Sequence, residues 1–308
     1  MGFAITLRRK GIPLVAEFPW KISIVGAMAY PRMAQGGSAA TEDLLKILQD
    51  SFFDAVEVPA IQFPNWDQIL QQLGETTLIR SLQSYIITNG LDFSSSDSAK
   101  REDAIRKIRD EIDLAASRGM KMVGICSGPD VGATERRKAK ESLVQSLIQI
   151  CQHGFQRNLM VALETFDREW DKKLLVGPLD EAAEIVAEVR KECPNIGLMW
   201  DLSHAPMLNE VPAVLKRWPS LLKHIHIGCA KRIDGKYVDS HPGFNTSGAV
   251  NSEEDVASLL KVLLDIDYQG MVGFEVKPEP QQTSETIVTT AKGVLAGAYQ
   301  RVLTESLG

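Results

Sequence analysis

The chain has 308 residues, 44% of them hydrophobic and 24% charged, and a formal net charge of −6. That composition describes an ordinary globular protein rather than a disordered chain, and no run of about 18 apolar residues offers a membrane span. Residues 1–20, MGFAITLRRKGIPLVAEFPW, are basic but have no following apolar run and no small-residue cleavage site, so no secretory signal is read there. Arg136, Arg137 and Lys138 sit in a mixed helical stretch rather than a basic block, which argues against nucleic acid as a partner. Cys126, Cys151, Cys193 and Cys229 are widely spaced without a CxxC, as expected for reduced, mostly buried thiols in a cytoplasmic protein.

Residues 1–20 read as an N-terminal extension that packs under the remainder of the chain or on a neighbour. Short apolar runs then alternate with amphipathic segments, the α/β pattern. The strands expected in order are 22–28 (ISIVGAM), 55–60 (AVEVPA), 82–88 (LQSYIIT), 121–126 (KMVGIC), 159–165 (LMVALET), 196–202 (IGLMWDL), 223–228 (KHIHIG) and 272–276 (VGFEV). Helix-period segments lie between them, such as KREDAIRKIRDEIDLAASRG and SEEDVASLLKVLLDI, the latter opening on Ser252 followed by Glu253, Glu254 and Asp255. GAMAYPRMAQGGSAA after the first strand is not a GxGxxG, so a dinucleotide-binding sheet is not favoured. Polar residues recur at the C-terminal ends of the strands, as they do in a closed barrel. The expectation is a single (β/α)8 TIM barrel over residues 21–308.

Four candidate metal ligands fall near the ends of the fifth to eighth strands: Glu164 in VALETFD, Asp201 in LMWDLSH, His226 in HIHIG and Glu275 in GFEVKP. Side chains alternate along a strand, so His224 and His226 point the same way, with His226 nearer the rim. A carboxylate inside VGFEV is not a solvated surface charge, and burying it unpaired costs several kcal/mol. Each residue also has a plainer explanation, Glu164 pairing with Arg168 and Glu275 with Lys277 among them, but all four at corresponding positions point to one divalent cation. Three carboxylates and one imidazole suit Mn2+, with Mg2+ or Co2+ as alternatives.

On these residues the chain resembles the xylose-isomerase-like barrel superfamily of sugar isomerases and epimerases, and its site is most similar to the ketose 3-epimerases. The resemblance implies that Glu164, Asp201 of the D-x-x-H ending at His204, His226 of the H-x-H and Glu275 hold the metal. It further implies that Glu164 and Glu275 are the catalytic pair, working on opposite faces of a small carbohydrate through a metal-stabilised enediolate. His204, and Arg232 six residues after His226, are implied to bind substrate. His241 in KYVDSHPGFN, Lys277 and Trp66 beside Phe63 are further candidates for contact with it. The family's second Glu, six residues after Glu164, is replaced here by Trp170. That departure and the long loop bearing His241 leave open a lyase that cleaves a 3-keto (C- or O-) glycoside after the same enolisation. A non-catalytic sugar-binding subunit is the alternative of another class. Endonuclease IV belongs to the same superfamily, but AVEVPA and SYIITNG lack the histidines its three-metal site needs. Neither membrane nor nucleic acid is an expected partner, and homo- or hetero-oligomers stay open.

Overall fold

The computed structural model describes residues 2–9 and 12–307. Twelve strands form over them: β1 (Ala4–Arg9), β2 (Ile12–Glu17), β3 (Lys21–Val25), β4 (Ala55–Pro59), β5 (Thr77–Ser81), β6 (Met122–Ile125), β7 (Met160–Glu164), β8 (Ile196–Asp201), β9 (Leu222–Gly228), β10 (Lys231–Ile233), β11 (Lys236–Val238) and β12 (Met271–Glu275). Eight of them, β3 to β9 and β12, close into one barrel in the order β12-β3-β4-β5-β6-β7-β8-β9, all parallel. The (β/α)8 expectation therefore holds. Closure removes both sheet edges and gathers the C-terminal ends of all eight strands around one mouth.

Helices cover the barrel because their apolar residues recur at helical spacing. In Ser98–Ser117 the residues Ile105, Ile108, Ile112 and Ala115 are buried, and Asp97 accepts the backbone N–H groups of Ala99 and Lys100 to start the helix. One expected element is misplaced: residues 82–88 are not the third strand. Gln83–Thr88 is a helix, and the strand is the preceding TLIRS, Thr77–Ser81. Tyr, Ile and Thr favour a strand by propensity, but the segment is helical, with Gln83 and Ile86 buried. Arg80 disguised the true strand, being a charge that sits inside the fold, 1% exposed and paired with Glu111.

The N-terminal extension forms the β1–β2 hairpin, with Ala4 opposite Glu17 and Arg9 opposite Ile12. Phe3 and Phe18 stack at 4.9 Å, Phe3 also stacks on Phe52 at 5.5 Å, and the Tyr299 hydroxyl donates to the Glu17 carbonyl at 2.7 Å. Phe52 lies just before β4, so the hairpin is anchored at the N-terminal end of the barrel, opposite the mouth. No helix among the described residues is long and apolar enough to cross a membrane. All four cysteines are free and buried.

Ser252 and Asp255 form a reciprocal cap on helix Glu253–Asp265: the Ser252 hydroxyl accepts the Asp255 N–H at 3.4 Å and the Asp255 carboxylate accepts the Ser252 N–H at 2.8 Å. Ser252→Ala is expected to cost about 1 kcal/mol. Urea unfolding should show this as a lower midpoint at unchanged slope.

Candidate active site

Glu164, Asp201 and Glu275 are the last residues of β7, β8 and β12, and His226 lies in β9 opposite Asp201 and Gly273 in the strand register. The strand ends bring one oxygen or ring nitrogen from each of the four within 4.8 Å of the others. His226 Nδ1 lies 2.8 Å from Glu275 Oε2 and 3.6 Å from Glu164 Oε1. Glu164 Oε1 and His226 Nδ1 are nevertheless buried without a hydrogen-bond partner. Their unused lone pairs converge with those of two further carboxylates, and a divalent cation fits that donor set. The remaining valences are occupied: Gln83 Nε2 donates to Glu164 Oε2 at 2.7 Å, while Ser203 donates its N–H and hydroxyl to the two oxygens of Asp201 at 2.7 and 2.6 Å.

One layer below, inside the barrel, Glu57 of β4 is 1% exposed and lies against both histidines of β9. Its oxygens are 2.9 Å from His224 Nε2 and 3.0 Å from His226 Nε2, and the Ser23 hydroxyl donates to it at 2.9 Å. Burial pushes its carboxyl up, but the two imidazoles outweigh burial and hold it well below the ordinary carboxylate range. Gly273 makes room for this contact, because a Cβ there would stand 2.9 Å from Glu57 Oε1.

The other wall is built around Asp239, which follows β11. Its Oδ1 is 2.7 Å from His241 Nε2 and 3.3 Å from His204 Nε2, and Lys172 reaches its Oδ2 at 3.4 Å. The His204 Nδ1–H donates to the Thr165 carbonyl at 2.8 Å, which turns Nε2 toward Asp239 and Asp201. The loop after β7 is tied to the same wall. The buried Asp167 carboxylate accepts the N–H groups of Trp170, Asp171 and Lys172, and Asp171 accepts the Asp239 N–H at 3.0 Å.

Against the lowering effect of burial, Glu275 and Asp239 hold His241 up at about 9. Burial lifts Glu164 above the ordinary carboxylate range, with His226 opposing it, whereas His241 and His226 overcome burial at Glu275 and hold it at about 2.

The structure thus gathers Glu164, Asp201, His204, His226, His241 and Glu275. It does not bring the other three candidates to that cluster. Arg232 is exposed on the β10–β11 hairpin, its guanidinium 5.5 Å from the Tyr237 ring. Lys277 is exposed, and its contribution is a backbone N–H donated to the His241 carbonyl at 2.6 Å. The Trp66 ring is half-buried at the start of helix Trp66–Gln72, beneath the Arg118 guanidinium at 4.3 Å and beside Phe63. Nor does Glu164 pair with Arg168, which binds Glu181 through both its terminal nitrogens at 2.7 and 3.1 Å. Sequence reasoning missed Glu57, Gln83 and Asp239. The signal for Glu57 was present, a carboxylate in the middle of the apolar run AVEVPA.

A parallel barrel with a buried carboxylate and histidine cluster at the C-terminal ends of its strands belongs to the class whose active sites lie at that mouth. The chain is a member of the xylose isomerase-like TIM barrel family, whose model matches residues 45–292. No curated protein matches the sequence. Among solved structures it is similar to D-psicose 3-epimerase with D-tagatose from Clostridium cellulolyticum H10, at 17% identity, over 92% of this chain and 98% of that one, with a TM-score of 0.66. It is also similar to the IOLI protein with a bound zinc atom, at 16% identity, over 92% and 99% of the two chains, TM-score 0.68. A third is 3-keto-D-glucoside 4-epimerase from E. coli, at 16% identity, over 91% and 99%, TM-score 0.64.

The Arg168–Glu181 pair fastens the loop after β7 to helix Leu179–Arg190, and Arg168, assisted by Lys140, holds the Glu181 carboxyl down at about 2. A depressed carboxyl stabilises the fold fully above its unfolded pKa of about 4.3, and that contribution disappears as the pH falls through the folded value. With the Glu181 side chain 29% exposed, solvent reduces the effect to about 1–2 kcal/mol. Glu181→Gln should therefore be less stable than wild type at pH 7, and the gap between their urea midpoints should close between pH 5 and pH 2.

Proposed function

We propose that the chain is a metal-dependent sugar isomerase or epimerase that removes a proton from the carbon beside a carbonyl. The convergence of the buried, unpartnered atoms of Glu164 and His226 with Asp201 and Glu275 carries this reading. Glu164, Asp201, His226 and Glu275 hold the ion, Mn2+ first and Mg2+ or Co2+ as alternatives. When bound, it acts as a Lewis acid on the carbonyl and adjacent hydroxyl oxygens of a keto sugar and makes the intervening C–H acidic enough for a carboxylate to remove.

Glu164 and Glu275 flank His226 Nδ1 from different strands, β7 and β12. One carboxylate oxygen takes the proton while the C–H electron pair moves into a new C=C bond and the carbonyl π pair moves onto its oxygen, a flow that reverses when the carbon is reprotonated. The other Glu returns a proton to the opposite face, and the carbon is inverted. His204 and His241 hold substrate oxygens, oriented by Asp239, while Arg232 and Lys277, exposed and outside that cluster, would reach substrate only from the rim. Support from relatives is of the same kind: the similar structures include enzymes named for ketose 3-epimerisation and 3-keto-glucoside epimerisation, and one with bound zinc. In this reading the enzyme works in the cytoplasm, without membrane or nucleic acid.

A second reading keeps the enolisation and ends in release of an aglycone from a 3-keto glycoside. The observation favouring it is His241, on the long loop after β9, which lies 3.7 Å from Glu275 and 2.7 Å from Asp239 and would serve as proton donor to the leaving group.

Metal-replete protein is expected to hold about one divalent ion per chain, and Asp201→Ala should lose it. Elemental analysis showing no stoichiometric ion, or no change on substitution, would refute the site. In deuterated water, NMR should show label entering a carbon beside the carbonyl of a ketose or 3-keto glycoside. A Glu164→Gln or Glu275→Gln variant should lose net inversion, and the double variant should also lose exchange. Inversion with label supports the epimerase and aglycone release the lyase. Absence of label across the panel in metal-replete protein would leave a binding role.

A further inference from the structure

We propose that Glu57 is a positioning residue for the metal: it grips His226 by the Nε2–H and thereby presents Nδ1, and only Nδ1, to the ion. The inference rests on the metal reading above and concerns a residue that supplies no ligand atom to that cluster. Three groups meet the Glu57 carboxylate, the Ser23 hydroxyl at 2.9 Å and the Nε2 atoms of His224 and His226 at 2.9 and 3.0 Å. An ionised carboxylate only accepts hydrogen bonds, so both rings donate through Nε2–H. A neutral imidazole protonated at Nε2 has its lone pair on Nδ1. In His226 that atom faces Glu164 and Glu275 and makes no hydrogen bond.

His224 has a different task. Its Nε2 is committed to Glu57, and its ring stands edge-on to His226 at 4.9 Å between centroids. It braces the carboxylate from the second side, so that Glu57 cannot swing away from His226. β12, the neighbour of β9, leaves room for this contact, since it carries Gly273 where a Cβ would crowd the Ser23 hydroxyl and stand 2.9 Å from Glu57 Oε1. A carboxylate behind a histidine ligand fixes its tautomer and raises its basicity, and loss of such a partner commonly weakens metal binding 10- to 100-fold.

Chelator competition with Co2+ on the full-length protein tests this. Glu57→Gln should bind Co2+ about 10- to 100-fold more weakly with an altered visible spectrum, and Glu57→Asp should recover part of the affinity. A merely structural role would lower the melting temperature and leave the Kd and spectrum of the folded protein alone, and that result overturns the proposal. Should Glu57→Gln fail to fold, nitrogen-15 NMR of histidine in zinc-loaded wild type decides: Nδ1 ligation with Nε2–H retained is expected, and ligation through Nε2 overturns it. Wild type that binds no Co2+ or Zn2+ removes the metal reading as well. A Glu57-dependent metal affinity without exchange into any sugar leaves Glu57 in its role and removes only the proposed reaction.

Discussion

Burying an unpaired carboxylate costs several kcal/mol, and the mouth of this barrel buries Glu57, Glu164, Asp201 and Asp239, with Glu275 at its edge. That charge is the constraint on which the surrounding structure depends. Four of the chain's five histidines stand among these acids, and Lys172 is the cation bound to Asp239. The acids are spread over two layers. In the lower one Glu57 takes three donors and His224 Nδ1 makes no hydrogen bond, whereas the upper one leaves atoms of Glu164, His226, His204, Asp239 and His241 without hydrogen bonds. The unsatisfied atoms are concentrated in the upper layer, and they are the donor set on which the metal proposal rests.

The scaffold holds those open valences in place. Strand ends fix Glu164, Asp201 and Glu275 to within the reach of one ion, and backbone N–H groups collected by Asp167 set the loop after β7. Lys172 and Asp171 from that loop hold Asp239, which in turn faces His204 and His241. Each side chain is thus oriented by a neighbour that is itself fixed, which keeps a site to the sub-ångström tolerance that catalysis and metal binding need.

Barrel closure and the four convergent residues were legible because both are written in local pattern: alternation of apolar runs with helices, and a carboxylate or imidazole near the end of each of four such runs. Glu57 carried the same mark in AVEVPA, but it lies in the middle of its strand and so looked like no ligand. The segment LQSYIIT hid Gln83, because its Tyr, Ile and Thr side chains suggest a strand whereas the chain there is a helix in contact with β6. The neighbouring TLIRS hid as a strand because Arg80 is neutralised by Glu111, 31 residues away. Asp239 and the Arg168–Glu181 pair depend on contacts between separate loops and helices, which no short-range spacing records.

Glu164 and Glu275 are the same residue type in unlike surroundings. Glu164 is buried, and burial raises its carboxyl against the opposing pull of His226, while Gln83 donates to its Oε2. Glu275 is partly open and faces the rings of His226 and His241, so its anion is favoured. In the proposed reaction two carboxyls in such unlike surroundings would hold and accept a proton in turn. A bound cation draws both toward the anion, but the Gln83 amide and the two imidazoles belong to the protein and stay in place. The difference between the surroundings of Glu164 and Glu275 is therefore built into the barrel.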